Sequence, residues 1–128
     1  MRLLLDTHAL LWWFAGNENL SLRARSAIGD AESIVFVSAA SAWEIATKYR
    51  IGKLPLAASL LGDLEMLLSA QNFRDLPISL SHAQSAGSLP GEHRDPFDRI
   101  LIAQAMSENL TLVSNERLFD AFGVARLW

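Results

Sequence analysis

IVFVSAASAWEIATKYR, residues 34–50, joins an apolar run directly to a helical pattern. The run IVFVS has the β-branched composition of a strand buried on both faces of a parallel sheet, and it ends at the polar Ser38. The periodicity after it predicts a helix over residues 41–51. Because strand-then-helix is the repeating unit of α/β proteins, this segment indicates that fold class.

The same unit recurs along the chain. Four further runs read as strands, with LPIS the weakest and VARLW a candidate edge strand: residues 3–5, 76–79 (LPIS), 110–114 (LTLVS) and 124–128 (VARLW). Helical patterns cover residues 7–15, 21–29, 41–51, 57–70 and 96–108. We therefore expect a three-layer α/β/α fold with a central parallel sheet of four to five strands.

The bulk properties favour one domain spanning residues 1–128. Of these residues 51% are hydrophobic and the net charge is −3, so nucleic acid would have to bind through a local positive patch. The chain has no cysteine, which excludes thiolate chemistry and is compatible with the cytoplasm. Asp6 and His8 interrupt the apolar N-terminus, so we expect a soluble, unprocessed protein with no membrane segment.

HRDPFDR, residues 93–99, concentrates ionisable groups immediately before a predicted helix. Asp95 followed by Pro96 is a good helix start, because the aspartate accepts a backbone N–H and proline at the first position needs none. Asp98 then lies in the first turn, where the helix dipole favours an acid. Local structure alone is therefore one sufficient explanation of this pair.

Other acids have equally simple local explanations. Asp6 can cap the helix that begins near Thr7, and Ser41 with Glu44 fits the S-x-x-E capping box. Glu116 lies in SNERLF, where the preceding Ser or Asn is a candidate cap.

The joint pattern of these acids points to a site. In parallel α/β sheets ligands bind at the carboxyl ends of strands, beside the point where the strand order reverses. Asp6 and Glu116 follow predicted strands, Glu44 lies in the helix after another, and Asp95 and Asp98 open the helix that leads into LTLVS. Carboxylates held within about 4–6 Å of each other resist joint ionisation, so such a cluster needs a cation.

The ligand type indicates which cation. Carboxylates without thiolates suit Mg²⁺ or Mn²⁺, and the three histidines, His8, His82 and His93, lack zinc-ligand spacing. We expect each histidine to be structural or peripheral, although His93 lies close enough to the acids to contact substrate or orient a carboxylate. Magnesium held by carboxylates leaves positions open for phosphate oxygens, so the site predicts phosphoryl chemistry.

Four blocks together carry a family resemblance. MRLLLDTHALLWW, SAASAWEIATKYRIGKL, LPGEHRDPFDRILIAQA and LTLVSNERLF resemble the PIN-domain nucleases, in particular the VapC-like toxins of bacterial toxin–antitoxin pairs. The resemblance extends to Trp128. It implies a PIN-like fold and a metal-dependent endoribonuclease that forms a homodimer and is silenced by an antitoxin protein.

The resemblance also assigns roles to residues. It implies that Asp6, Glu44 and Asp95 are the core metal-site acids and that Asp98 completes or supports the cluster. Thr7 matches the small hydroxyl residue that usually follows the family's first aspartate, and Ser114 matches the Thr or Ser at the end of its fourth strand. Glu116 stands where the family commonly has aspartate, and its longer side chain favours a water-mediated contact over a direct one.

Basic and aromatic residues surround the predicted site. Lys48, Arg50 and Lys53 follow Glu44, and Arg94 and Arg99 flank Asp95, so a positive rim for RNA is one interpretation. A solvated helix end explains the first group equally well, and Arg99 could instead pair with Asp95. The first predicted helix carries three consecutive aromatics, Trp12, Trp13 and Phe14, which cannot all face the core of one thin α/β layer. This indicates either that at least one lies in a subunit interface or that they form a core cluster with one exposed ring.

Two other functions remain open from the sequence. A phosphatase acting on small phosphomonoesters also uses acid-lined metal sites, although Asp6-Thr7-His8 lacks the DxD of aspartyl-phosphate enzymes. A non-catalytic RNA- or protein-binding module would use the acids only as caps. A dinucleotide enzyme is disfavoured, because no GxGxxG follows the first strand.

Overall fold

The computed structural model describes the backbone of residues 1–128 and every side chain except that of Leu56. The strands are β1 Arg2–Leu5, β2 Ile34–Ser38, β3 Arg74–Leu76, β4 Thr111–Val113 and β5 Arg126–Leu127. The α-helices are α1 Thr7–Ala15, α2 Leu22–Gly29, α3 Ala39–Arg50, α4 Ala58–Leu61, α5 Leu64–Ala70, α6 Leu80–Ser88 and α7 Pro96–Ser107. Two 3-10 segments cover Pro55–Ala57 and Arg117–Phe122.

All five strands are parallel, in the order β3-β2-β1-β4-β5. The chain builds outward from β1 through β2 to β3, and then crosses to β4 and β5 on the other side. The strand order therefore reverses between β1 and β4, where α/β sheets open a crevice beyond the carboxyl ends of the strands. The amide of Asp6 donates to the carbonyl of Val113 (3.0 Å) and fixes Asp6 at this point.

Alternating side chains of β1 divide the core into two layers. Leu3 and Leu5 enter an apolar cluster with α1, α2 and α3, whereas Leu4 enters a second cluster with α7 on the opposite face. All three leucines are fully buried. This arrangement confirms the predicted three-layer α/β/α fold with a parallel sheet of five strands.

The predicted helix over residues 57–70 is wrong, because the chain forms two shorter helices, α4 and α5. The interruption falls at Gly62 and Asp63. Asp63 has an extended φ of −158°, and its side chain accepts the amide of Met66 (3.2 Å), so it starts a new helix at α5. The leucine spacing continues through the break, but the hydrogen bond of the Asp63 side chain to the backbone ends the first helix and starts the second.

Other boundaries also differ from the sequence prediction. The strand expected at residues 76–79 is found at Arg74–Leu76, and Ser79 instead caps α6, a helix that the sequence pattern did not predict. The α6 segment buries only His82 and Ala86, so its apolar stripe is too thin to recognise. As predicted, His82 is structural, since its Nδ1 accepts the amide of Ser79 (3.0 Å) in a capping box.

The aromatics of α1 divide between two neighbours. Trp13 and Phe14 pack on Phe73, with ring centroids 6.0 and 6.2 Å away, while Trp12 packs on Trp128. All three remain partly buried, and a subunit interface at this helix stays a prediction. Within the described part of the chain, every helix is too short or too polar to cross a lipid bilayer.

Candidate metal centre

An open cavity of about 310 Å³ lies at the carboxyl edge of the sheet, beside the point where the strand order reverses. All five of the predicted acids line it: Asp6, Glu44, Asp95, Asp98 and Glu116. Asp6, Asp95 and Glu116 lie at the starts of helical segments, Asp98 lies in the first turn of α7, and Glu44 lies in the middle of α3. The parallel topology brings these distant segments to one edge.

Asp6 caps α1, as predicted, and is almost completely buried. Its Oδ1 accepts the amide of Ala9 (2.7 Å), and the buried Ser114 hydroxyl favours the ionised carboxylate. Burial raises the pKa of the Asp6 carboxyl to about 6, with the charge of Asp98 adding to the effect and the hydrogen bonds and His8 opposing it. In the absence of a cation, the folded protein therefore resists ionising this group.

Glu44 is buried in α3, and the predicted capping box with Ser41 is wrong. Ser38 caps α3 instead, accepting the amide of Ala40 (3.0 Å), because the helix begins at Ala39 rather than at residue 41. The Glu44 side chain is thus free to enter the cavity. Its Oε1 accepts the hydroxyl of Thr7 (2.5 Å), so Thr7 supports the acid from α1.

Lys48 fills the position of a cation beside Glu44. It lies one helical turn after Glu44, and its ammonium forms an ion pair with Oε2 of that residue. Desolvation opposes the charged ammonium, but the hydrogen bond to Glu44 and the charges of Glu44, Asp95 and Asp98 raise the pKa of Lys48 above its ordinary value. The Lys48 side chain therefore points into the cavity. The predicted positive rim for RNA grouped it with Arg50 and Lys53, both of which are exposed.

Asp95 and Asp98 face the cavity from the start of α7. Asp95 caps the helix as predicted, since its Oδ1 accepts the amides of Phe97 (2.9 Å) and Asp98 (3.1 Å). A hydrogen bond of 2.8 Å joins Asp98 Oδ2 to Nε2 of His93, which orients the carboxylate. Burial raises the pKa of Asp98, the charges of Asp95 and Glu44 add to this, and His93 opposes it.

Glu116 lies at the exposed margin of the cavity. It is itself the cap of the 3-10 segment Arg117–Phe122, accepting the amide of Leu118 (3.1 Å), whereas the sequence pattern placed the cap at Ser114 or Asn115. Ser114 is fully buried beside Asp6 and accepts the amide of Glu116 (3.0 Å). One carboxylate oxygen of Glu116 is thus already engaged with the backbone.

Arg99 clamps the loop that precedes α7. Its guanidinium donates to the carbonyls of Ala86 (2.8 Å), His93 (2.8 Å) and Leu89. The alternative pairing with Asp95 is not formed by the side chain. Arg99 therefore positions the segment that carries His93, while the neighbouring Arg94 is exposed and lies outside the cavity lining.

Sequence reasoning missed part of the cavity wall. His8, Trp12 and Phe119 line the cavity together with Asn115. A signal was present for the first pair, since His8 and Trp12 are four residues apart and share one helix face directly after Asp6. Phe119 has no such signal, because a single phenylalanine in a short 3-10 segment has no readable periodicity.

The carboxylate side chains of the cavity are the ligand type that a hard divalent cation prefers, but their present positions do not form a complete binding site. Five carboxylates converge without a thiolate, and burial already disfavours a bare negative charge on Asp6. However, no three Asp, Glu or His side chains in the described part of the protein are placed so that they could hold a metal ion as they stand. Thr7 and Lys48 each contact one oxygen of Glu44, so an ion that binds Glu44 competes with the Lys48 ammonium for this carboxylate.

Comparison with known proteins identifies the family. The PIN domain model matches residues 3–124. Ribonuclease VapC22 of Mycobacterium tuberculosis is 35% identical over 115 residues, which covers 89% of this chain and 86% of that protein.

Solved structures share the fold. VapBC2 of Rickettsia felis, solved with a DNA fragment from its promoter, superposes with a TM-score of 0.72 at 17% identity and covers 99% of this chain and 98% of its own. VapC20 of Mycobacterium tuberculosis, described as a toxin that cleaves the sarcin-ricin loop, has a TM-score of 0.69 at 13% identity, with 96% of each chain covered. The matched domain and the homologous ribonuclease agree with the geometry above: this chain belongs to the PIN-domain family, as a relative of the VapC ribonucleases.

Proposed function

We propose that the chain is a Mg²⁺- or Mn²⁺-dependent endoribonuclease, the toxin of a toxin–antitoxin pair, in which residues 1–128 act as one PIN domain in the cytoplasm. The observation that carries this proposal is the convergence of Asp6, Glu44, Asp95 and Asp98 on one cavity at the sheet edge. The homologous ribonuclease supports RNA as the substrate class.

In this proposal Asp6, Glu44 and Asp95 would hold the metal, which would activate water for attack and offset charge on the phosphate oxygens. Asp98, oriented by His93, accepts a hydrogen bond from the attacking water and holds it in line with the phosphorus. Thr7 and Ser114 keep Glu44 and Asp6 in place.

In the proposed reaction the Lys48 ammonium moves from Glu44 to the RNA phosphate. Once its ammonium leaves Glu44, it remains at the cavity wall and can contact a non-bridging oxygen of the scissile phosphate. Attack of water on phosphorus forms a new P–O bond and breaks the bond to the 3′ oxygen. The proton of the water passes to Asp98, and the departing 3′ oxygen takes a proton from solvent, which leaves a 5′-phosphate and a 3′-hydroxyl. No side chain becomes covalently bonded to RNA.

The test combines cleavage with ion binding. We expect purified protein to cut single-stranded RNA in Mn²⁺ or Mg²⁺ and to stop in EDTA. Calorimetric titration should show Mn²⁺ binding that Asp95→Asn removes, whereas Glu18→Gln, at an exposed carboxylate outside the cavity, should keep it.

Two results would contradict the proposal. Release of inorganic phosphate from nucleotides without RNA cleavage would indicate the phosphatase instead. Absence of any acid-dependent Mn²⁺ binding would indicate a binding module in which the acids serve only as helix caps.

We also propose, from the family resemblance, that the protein forms a homodimer and binds a cognate antitoxin. The toxin–antitoxin complexes among the structural neighbours support such a partner. Sedimentation of the purified chain at micromolar concentration should give the mass of a dimer, and a monomer throughout would remove that part of the proposal.

A further inference from the structure

Three aromatic rings form a continuous row from the cavity across α1. His8 and Trp12 lie one helical turn apart with ring centroids 5.4 Å from each other and planes tilted by 44°. Trp12 then packs on Trp128 at 5.8 Å with a tilt of 58°. We name these three residues, His8, Trp12 and Trp128, the aromatic row.

The row has one exposed end, and that end lies at the acidic cavity. His8 and Trp12 both line the cavity with Asp6 and Asp98. His8 is exposed, whereas Trp12 and Trp128 are partly buried against the core. Within the described part of the chain, the His8 imidazole makes no hydrogen bond or ion pair. The ring therefore packs obliquely against Trp12 and is otherwise exposed to solvent.

We propose that the aromatic row is a nucleobase subsite, in which the base of a nucleotide adjoining the scissile phosphate stacks on His8 with Trp12 as the support. This inference rests on the proposed ribonuclease function. A flat ring beside a phosphate-binding centre suits single-stranded RNA, because each base has a π-face and stacking tolerates sequence differences. In an acidic protein, stacking also supplies affinity that the net charge of −3 cannot.

Another exposed aromatic provides a contrast. The Trp43 side chain is 56% exposed and meets Phe97 edge-on, with centroids 4.8 Å apart and planes at 78°. Trp43 precedes Glu44 in the chain, yet it does not line the cavity. It is thus a matched control for removal of an exposed aromatic ring near the acids.

The experiment separates stacking from other roles of His8. The cleavage position is first mapped with the wild-type protein on a mixed-sequence single-stranded RNA. For His8→Ala we expect KM to rise about tenfold with kcat changed by less than about twofold, which is the loss of one stacking contact. His8→Phe should restore KM, because it keeps a flat ring, and Trp43→Ala should leave KM unchanged.

An abasic RNA gives an independent readout. Removing the base that contacts His8 should weaken wild-type binding about tenfold, measured by anisotropy of a labelled RNA in EDTA. The same removal should cost His8→Ala nothing further, because the two changes delete one contact. Thermal unfolding checks that each variant keeps the fold.

Several outcomes overturn the inference. Unchanged KM in His8→Ala, or an equal loss in Trp43→Ala, would remove the subsite while leaving the ribonuclease intact. A fall in kcat that His8→Phe does not restore would assign His8 to proton or ion chemistry instead. No RNA cleavage by the wild-type protein would overturn the proposed function, and this inference with it.

Discussion

Asp6→Asn is expected to make the metal-free protein more stable while it strongly slows metal-dependent RNA cleavage. The buried Asp6 carboxyl has a pKa of about 6 instead of the ordinary 3.8, so its ionised form costs the folded state about 2–3 kcal/mol. Asparagine keeps the cap on α1 without that charge. Loss of one metal-site acid should lower kcat by about a thousandfold, since several kcal/mol of transition-state stabilisation depend on the ion.

The sign of the pH dependence follows from the raised pKa. Between about pH 4 and pH 6 the folded protein holds a proton at Asp6 that the unfolded chain releases, so wild-type stability falls as the pH rises through this window. The gain in Asp6→Asn should therefore be full at pH 7.5 and vanish near pH 4. Urea unfolding in EDTA at both pH values measures it.

Asp63→Asn is the matched control for this experiment. Asp63 is also an N-cap, accepting the amide of Met66, but it is exposed. Its replacement should not stabilise the protein at either pH. Equal stability of wild type and Asp6→Asn at pH 7.5 would show that burial does not strain the Asp6 carboxylate.

Lys48→Met is expected to destabilise the metal-free protein by about 3 kcal/mol, because it leaves the buried Glu44 carboxylate without its cation. Methionine keeps an unbranched apolar side chain, so the loss of stability measures the contribution of the ammonium charge. Mn²⁺ should recover much of the stability, since the ion replaces the ammonium at Glu44 and stabilises the folded state by binding to it. Thermal unfolding with EDTA and with Mn²⁺ measures both effects.

The comparison variant for Lys48 is Lys53→Met, at an exposed lysine of the same segment. It should change stability little in either buffer. If both variants lose the same stability, or if Mn²⁺ recovers none of the loss in Lys48→Met, Lys48 does not act as the resident counter-ion of the acid cluster.

The sequence predicts the site acids because their local and distant signals agree. Asp95 with Pro96 marks a helix start on its own, and the strand-then-helix order places that start at the same sheet edge as Asp6. The structure places both residues at the cavity. Parallel topology is thus sufficient to bring such acids together, because the carboxyl ends of all strands share one edge.

Side-chain direction is what the sequence could not supply. Lys48 pairs with Glu44 at i,i+4 spacing within α3, which the sequence does contain, but the burial of Glu44 at the cavity follows from the tertiary fold and cannot be read from that spacing. The helix boundaries failed for a related reason: at Asp63 and at Ser38 a side-chain cap outweighs the apolar spacing. The lack of zinc-ligand spacing predicts a structural or peripheral His8, whereas the structure places this residue in the cavity lining.

Asp6 and Asp95 each use a single carboxylate both to cap a helix and to line the cavity. Asp6 and Asp95 both commit one oxygen to an N–H at the start of a helix. Lengthening either side chain to glutamate would detach it from that amide as well as shift it in the cavity. Glu44 and Asp98 cap nothing, so we expect evolutionary drift toward a different ion or reaction to begin at these two positions.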